Sequence, residues 1–175
     1  MLFQLLQFIL LMNFNNFTTK CQEALQRAQQ YVVEMGHAQM DPLHLLLSLL
    51  EQKDGVVPAV LKKMGIEAAV IEADVHVALE SLSRVINPGN VVQLYLTQES
   101  LRVLHQAEKE ASNLKDEYIS TEHLLLALLR SPSVAGEILA DHHVNYESVL
   151  QVLASVRGTQ RVTDQEPETQ CGCGG

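Results

Sequence analysis

The chain has 175 residues, a formal net charge of −9, and 47% hydrophobic residues with only 5% aromatic residues. An acidic chain without a stretch rich in Lys and Arg does not neutralise phosphates, so the composition argues against nucleic acid as a ligand. Three cysteines are too few and too unevenly spaced for a disulfide framework, which favours a reducing, cytoplasmic location. The length suits one well-buried domain, or two small units that share a core.

Residues 1–11 are almost wholly apolar, but they lack the basic segment and small-residue cleavage site of a secretory signal. The stretch is also too short to span a bilayer as a helix. We expect it to be an N-terminal extension outside the fold, and a leader that contacts a membrane is the alternative.

Residues 12–83 carry the signals of four helices. Thr18 is a candidate N-cap of the first helix. Asp41 followed by Pro42 is typical of a second helix start, and the helix after it is apolar on nearly every side, as expected at a buried centre. The third and fourth helices are predicted over residues 56–64 and 66–82.

A connector at residues 84–95, with the turn-forming sequence NPGN, precedes a second set of helices. This second set covers residues 96–157, with helices predicted over residues 97–114, 120–130, 133–140 and 145–156. Apolar periodicity then stops, so residues 158–175 are predicted to be a flexible linker or tail. Cys171 and Cys173 in this tail would form only an incomplete metal site. No stretch shows the alternation of a β-strand, so the predicted fold class is all-α.

The two sets of helices are copies of one unit. The segment DPLHLLLSLL at residues 41–50 returns as STEHLLLALL at residues 120–129, and the offset between His44 and His123 is 123 − 44 = 79 residues. A repeat of this size indicates a duplicated helical unit. We therefore predict two tandem, pseudo-symmetric four-helix repeats, eight helices in all, that form one compact domain.

Motifs of catalysis are missing from the sequence. No glycine is followed by Lys-Ser or Lys-Thr, as a phosphate-binding loop requires, and no Gly-x-Ser-x-Gly sequence is present. We expect neither an enzyme nor a bound cofactor.

Two short spacings resemble those of helical metal sites. Glu34-x-x-His37 has the spacing found in di-iron bundles, but such sites need a second pair and two further glutamates. Asp41-x-x-His44 is a weaker match, and Asp41 is better used as a helix cap. We expect no metal, and a metal-binding helical enzyme is the most remote alternative.

Several polar residues accompany the apolar helices. His44 and His123 each lie near the start of an apolar helix. There an imidazole ring can bury one edge while a ring nitrogen forms a hydrogen bond, so a structural role is favoured. Glu122 stands where the first copy has Leu43, and a carboxylate in the first turn of a helix is stabilised by the macrodipole. Asp116 has a simple interpretation as a solvated loop residue. A binding role is the alternative for both acidic residues.

The repeated segments also resemble a known family. The sequences FTTKCQEAL (17–25), DPLHLL (41–46) and ISTEHLL (119–125) closely resemble the amino-terminal Clp repeat domain, which precedes the ATPase modules of Clp/Hsp100 unfoldases. DPLH in the first copy and the segment RGTQRVT (157–163) look most like the ClpB disaggregases. The resemblance covers about residues 12–166.

This resemblance implies a function and a set of residues. In ClpB-type proteins the domain is a mobile module that engages unfolded or aggregated polypeptide through an apolar groove between the repeats and helps deliver it to the ATPase ring. The matching polypeptide-binding positions are Thr18, Asp116 and Glu122. The implied partners are such clients, adaptor proteins and the ATPase modules of a parent chaperone, with no nucleic acid and no membrane.

A ClpC- or ClpA-like module is the alternative, which binds an adaptor or recognises phosphoarginine. In ClpC-type relatives, glutamates of both repeats recognise phosphoarginine. Only Glu122 matches here because the first copy has Leu43, which favours the ClpB-like interpretation.

Overall fold

The computed structural model describes residues 14–85, 95–158 and 160–166. The predicted extension at residues 1–11 lies outside the described residues, as do Cys171 and Cys173 and the centre of the predicted connector.

Eight α-helices make up nearly all of the described structure, which confirms the all-α prediction. A 3₁₀ turn, Phe14–Asn16, leads into the first half, whose elements are α1 (Thr19–Glu34), β1 (Gln39–Met40), α2 (Pro42–Glu51), α3 (Val56–Lys63) and α4 (Ala68–Glu80). The second half consists of β2 (Tyr95–Leu96), α5 (Gln98–Asn113), α6 (Thr121–Arg130), α7 (Val134–Asp141) and α8 (Tyr146–Arg157). Each half therefore contributes four helices in the same order.

The equivalent helices start in the same way. Thr18 caps α1 by accepting the Cys21 N–H at 3.3 Å, and Thr97 caps α5 by accepting the Ser100 N–H at 3.1 Å. Such caps satisfy backbone donors that have no partner inside the helix. The repetition of these local signals explains why helix positions could be predicted from the sequence.

The two apolar helices α2 and α6 lie at the centre of the core. Their leucines are almost completely buried: Leu45, Leu46, Leu47 and Leu49 in α2, and Leu124, Leu125, Leu126 and Leu128 in α6. Neighbours on every side explain why both helices are apolar around nearly their whole circumference.

The third helix of each repeat packs against the other repeat. Helix α3 contacts α6 and α8 of the second half, and α7 contacts α2 and α4 of the first half. Because of this exchange, one continuous cluster of buried residues spans both repeats. The repeats are pseudo-symmetric parts of a single domain.

Two short backbone pairings join the repeats crosswise. Phe17, just before α1, pairs in parallel with Ile119, just before α6. Strand β1, just before α2, pairs in parallel with β2, just before α5, with Met40 opposite Leu96. The repeat offset relates these pairings, since 17 + 79 = 96 and 40 + 79 = 119. Two residues are too few to show alternation in the sequence, so these pairings were not predicted.

No single described helix is long and apolar enough to cross a membrane, although α6 and α7 together, with a bend of 92° between them, meet the length and composition of a broken span.

Candidate functional site

The structure brings the three predicted residues together where residues 16–18, at the start of α1, contact residues 116–122, at the start of α6. We call this contact between the repeats the seam. Thr18 caps α1, Asp116 lies in the loop after α5, and Glu122 is in the first turn of α6. The Thr18 N–H donates to the Ile119 carbonyl at 2.9 Å, and the Ile119 N–H donates to the Asn16 carbonyl at 2.7 Å. The crosswise pairing therefore holds the start of α1 against the loop that carries the two acidic residues.

Asp116 is the centre of the contacts at this seam. Its Oδ2 lies 2.7 Å from His123 Nε2, and its Oδ1 accepts hydrogen bonds from Arg157 Nη2 at 2.6 Å and from the Val162 N–H at 2.8 Å. The Asp116 side chain is 0% exposed. The expectation of a solvated loop residue is therefore wrong, because protein donors replace water around this carboxylate.

The hydrogen bond at Nδ1 of His123 decides which ring nitrogen carries the proton. Nδ1 accepts the Ser120 N–H at 2.8 Å, so Nε2 carries the proton and donates it to Asp116. The ring thus joins the start of α6 to the loop before it, which is the structural role expected for this histidine.

Glu122 is buried beside the same arginine. Its Oε1 lies 2.6 Å from Arg157 Nη1, an ion pair by distance that lacks the alignment of a hydrogen bond. Arg157, at the end of α8, therefore bridges the two carboxylates with its two terminal nitrogens. A planar guanidinium suits this double contact better than an ammonium group would.

The contacts at the seam shift the pKa values of Asp116, Glu122 and Arg157. Burial opposes ionisation of Asp116, but the hydrogen bonds from His123, Arg157 and Val162 outweigh it and lower the pKa of this carboxyl to about 2. Burial raises the pKa of Glu122, and the positive charge of Arg157 only partly offsets this effect. Burial disfavours the charged guanidinium, yet Asp116 and Glu122 together raise the pKa of Arg157. Pairing therefore favours the charged forms of Asp116 and Arg157, whereas burial disfavours the charged form of Glu122.

None of the three predicted residues presents its side chain to solvent. Thr18 is 0% exposed, and the Glu122 side chain is 6% exposed. In this conformation their evident role is to hold the seam together.

Two residues of the site, Arg157 and Val162, were not identified from the sequence. Both belong to the segment RGTQRVT, which appeared in the family resemblance but carried no role. Apolar periodicity ends at this point, so the sequence indicated only a linker. The available signal was a single aliphatic residue in a polar segment, which is weak.

Residues 160–166, which we call the strap, cross the seam. The Val162 carbonyl accepts the N–H groups of Glu117 at 2.9 Å and Tyr118 at 3.2 Å. The Gln165 carbonyl accepts the Thr19 N–H at 2.8 Å, at the start of α1. The strap is therefore attached both to the Asp116 loop and to the first repeat.

An open cleft of about 500 Å³ shares Arg157 with the seam. Its apolar wall consists of Leu114, Leu150, Leu153 and Ala154, and its remaining lining residues are Arg157, Gly158, Gln160 and Arg161. All of these residues belong to the second repeat or to the segment after it. The cleft combines aliphatic surface with two arginines.

The site also has the composition of a three-ligand metal site. Ligand atoms of Asp116, Glu122 and His123 lie within 4.8 Å of one another. Arg157, however, lies 2.6 Å from each carboxylate and supplies the positive charge that a cation would provide. The residues present fit an internal arginine rather than a divalent ion.

The spacings weighed as metal sites in the sequence are used differently. Glu34 Oε1 accepts a hydrogen bond from Arg27 at 3.2 Å. His44 accepts the Asp41 N–H on Nδ1 and contacts His37 Nδ1 with Nε2, at 3.0 Å and 2.7 Å. These contacts do not support the metal-enzyme alternative.

Comparison with known proteins places this geometry in a family. The family model of the Clp repeat (R) N-terminal domain matches residues 16–142. The chaperone protein ClpB of Bacillus cereus is 37% identical over 158 residues, which is 90% of this chain and 18% of that protein. The chain thus matches only about a fifth of the length of this relative.

Solved structures show the same fold. The Hsp104 N-terminal domain from Candida albicans has a TM-score of 0.75 at 21% identity, and the match covers 86% of this chain and 97% of that one. A ClpV N-domain solved in complex with a VipB peptide has a TM-score of 0.63 at 20% identity, covering 89% of this chain and 91% of that one. The duplicated helices, the shared core and the matched sequence agree: the chain belongs to the Clp repeat N-terminal domain family, and its relatives include ClpB chaperones.

Proposed function

We propose that this domain recognises unfolded or aggregated polypeptide for a ClpB-like, ATP-dependent disaggregase in the cytoplasm. It is a binding module and not an enzyme, and its motor would be the ATPase ring of a parent chaperone. Adaptor proteins are further partners under this proposal. Support comes from membership of the family and from the likeness to ClpB over nearly the whole chain.

The observation that carries the proposal is the seam. Three separate backbone segments, residues 16–18, 117–119 and 160–166, meet there around the buried carboxylate of Asp116. The seam adjoins an open cleft with an aliphatic wall. A polypeptide without fixed structure offers the two things that such a surface accepts, backbone hydrogen-bonding groups and aliphatic side chains.

We place the polypeptide-binding positions at Thr18, Asp116 and Glu122. Because their side chains are buried, we assign them a positioning role: they hold the seam in the shape that the client meets. Binding by a small apolar surface, at about 25 cal/mol per Å² less the costs of association, is weak and tolerant of sequence. Weak binding suits a module that passes its client on.

The phosphoarginine alternative has less support. Leu43, the counterpart of Glu122, is 1% exposed and part of the core. Glu122 itself already contacts the guanidinium of Arg157. A ligand guanidinium would have to displace that internal one.

The test is a titration of the full chain with a fluorescent, permanently unfolded protein and with its folded counterpart. We expect binding to the unfolded form only, and a weaker affinity for Glu122→Gln, which leaves Arg157 with one carboxylate. Glu147→Gln is the matched control, since Glu147 is an exposed glutamate in the first turn of α8. Equal binding of folded and unfolded protein, or no binding, would refute the proposal.

A further inference from the structure

We propose that the strap is a displaceable internal ligand of the client site, and that an aliphatic residue of the client takes the place of Val162. This inference rests on the function proposed above and adds to it how the site is recognised and regulated. It follows from the contacts, burial and charge of the strap itself.

Val162 is held in the manner of a bound peptide residue. Its N–H donates to Asp116 Oδ1 at 2.8 Å, and its carbonyl accepts the Glu117 and Tyr118 N–H groups. Its side chain is 5% exposed. The recognised features are thus one backbone donor, one backbone acceptor and one small aliphatic group, all of which an unrelated polypeptide can supply.

The rest of the strap lies on the surface, where Arg157 Nη2 donates to the Gln160 carbonyl at 3.1 Å and the Thr19 N–H donates to the Gln165 carbonyl at 2.8 Å. Gln160, Arg161 and residues 163–166 are exposed, so Val162 is the single buried residue of these seven described positions. Segments with few buried contacts are those that open locally at low cost. One buried aliphatic side chain and a few backbone hydrogen bonds form a hold that a competing segment can replace.

The rigid side of the contact stays in place when the strap leaves. Asp116 keeps its contacts with His123 and Arg157, and Thr18 keeps its pairing with Ile119. Release would open the position of Val162 and would leave several groups without their strap partners: the N–H groups of Thr19, Glu117 and Tyr118, Arg157 Nη2 and Asp116 Oδ1. These groups require a client residue with an aliphatic side chain and a backbone N–H that can donate to Asp116. Proline has no backbone N–H and is therefore excluded at that position.

The strap also competes with the client by mass action. A site that is open for only a fraction of the time has its apparent affinity reduced by that fraction. Loosening the strap should therefore strengthen client binding, whereas damage to an ordinary stabilising contact would weaken it. This difference in sign makes the inference testable.

The experiment uses the full ¹⁵N-labelled chain and a reduced, alkylated, permanently unfolded protein as probe. We expect the exchange of the Val162 amide hydrogen to become faster when the probe is added, because its bond to Asp116 is broken. We also expect Val162→Asp to bind the probe roughly fivefold more tightly than wild type. Val77→Asp, the same substitution at a position of α4 that is 66% exposed and lies outside the strap, should leave the affinity unchanged.

The outcomes separate the two proposals. If the probe binds while Val162 exchange stays constant, and Val162→Asp binds no better than Val77→Asp, the strap inference is wrong and the proposed function stands. If neither wild type nor Val162→Asp binds, the proposed function fails and the inference fails with it. The exchange measurement on wild type does not depend on either variant folding.

Discussion

His37 and Asp116 occupy equivalent positions in the two repeats, since 37 + 79 = 116, and each contacts the buried histidine of the apolar helix that follows. His37 Nδ1 lies 2.7 Å from His44 Nε2, and Asp116 Oδ2 lies 2.7 Å from His123 Nε2. The geometry is the same, but the first repeat places two neutral rings together where the second pairs a carboxylate with a ring. The histidine in the first repeat and the aspartate in the second give the two sites different chemistry. Only the aspartate of the second repeat contacts Arg157 and the strap.

The pair in the first repeat predicts a sensitivity to acid. Burial, followed by the nearby charge of His37, lowers the pKa of His44 from 6.5 to about 4. Burial and Arg84 also lower the pKa of His37, while Leu79 and Asp41 oppose the shift. The unfolded chain therefore binds more protons than the folded chain between pH 6.5 and pH 4. Stability from this pair is complete above pH 6.5 and is lost as the pH falls to 4.

We expect His37→Gln to reduce this loss by roughly 1 kcal/mol, because one titrating group and one like charge are removed. Urea unfolding at a series of pH values between 7 and 4 measures it. His105→Gln is the control, since the His105 side chain is 65% exposed. Comparison of variants also removes the opposite contributions of Glu51 and Glu122, whose pKa values are raised mainly by burial. Equal slopes for wild type and His37→Gln would contradict the prediction.

The buried network predicts a large effect of Asp116→Asn. An amide carries no charge to balance Arg157, and it cannot accept the three hydrogen bonds from His123, Arg157 and Val162 as a charged group. One partner of a buried ion pair is thereby lost. We expect a destabilisation of about 3 kcal/mol by chemical unfolding. Asp74→Asn is the matched control because Asp74 pairs with His142 through a side chain that is 56% exposed, and exposed pairs contribute about 0–1 kcal/mol. Similar losses for both variants would show that Asp116 is not the centre of the network.

Substitution of the two capping threonines, Thr18 and Thr97, distinguishes a structural role of Thr18 from a role in binding. Thr18→Ala and Thr97→Ala each remove a cap from an equivalent helix, so both should cost about 1 kcal/mol in the free energy of unfolding. Only Thr18 lies at the seam beside Ile119, so we expect only Thr18→Ala to weaken binding of the unfolded probe. If both variants bind equally well, Thr18 is a cap alone.

The backbone conformation at the C-terminal ends of α1 and α5 leads us to predict a stabilising substitution. Gly36 follows α1 with a φ of 70°, and Lys115 holds the equivalent position after α5 with a φ of 59°. A side chain in this left-handed conformation is strained, and glycine is not. We expect Lys115→Gly to raise the free energy of unfolding by roughly 0.5–1 kcal/mol.

The converse substitution is its control. No heavy atom beyond the two adjacent residues lies within 4 Å of a Cβ added at Gly36, so Gly36→Ala should destabilise through backbone strain alone. A gain in stability from Gly36→Ala, or a loss from Lys115→Gly, would contradict the assignment of both positions as left-handed helix ends.

The sequence by itself determined the features that depend on neighbouring residues. Caps such as Thr18 and Asp41, apolar periodicity and the 79-residue offset predicted eight helices in two repeats, because helix starts and buried faces are encoded within a few turns. The resemblance to the Clp repeat family also implied Thr18, Asp116 and Glu122 as polypeptide-binding positions, which stays a prediction.

Only the tertiary structure decided how these helices meet. The exchange of α3 and α7 between the repeats, the pairing of Phe17 with Ile119, and the contacts of Arg157 and Val162 with Asp116 all join residues that are distant in the chain. Whether Asp116 is solvated or buried depends on these partners, and no local pattern contains them. The same carboxylate that the sequence presents as a loop residue becomes the centre of the seam because the folded chain surrounds it with donors.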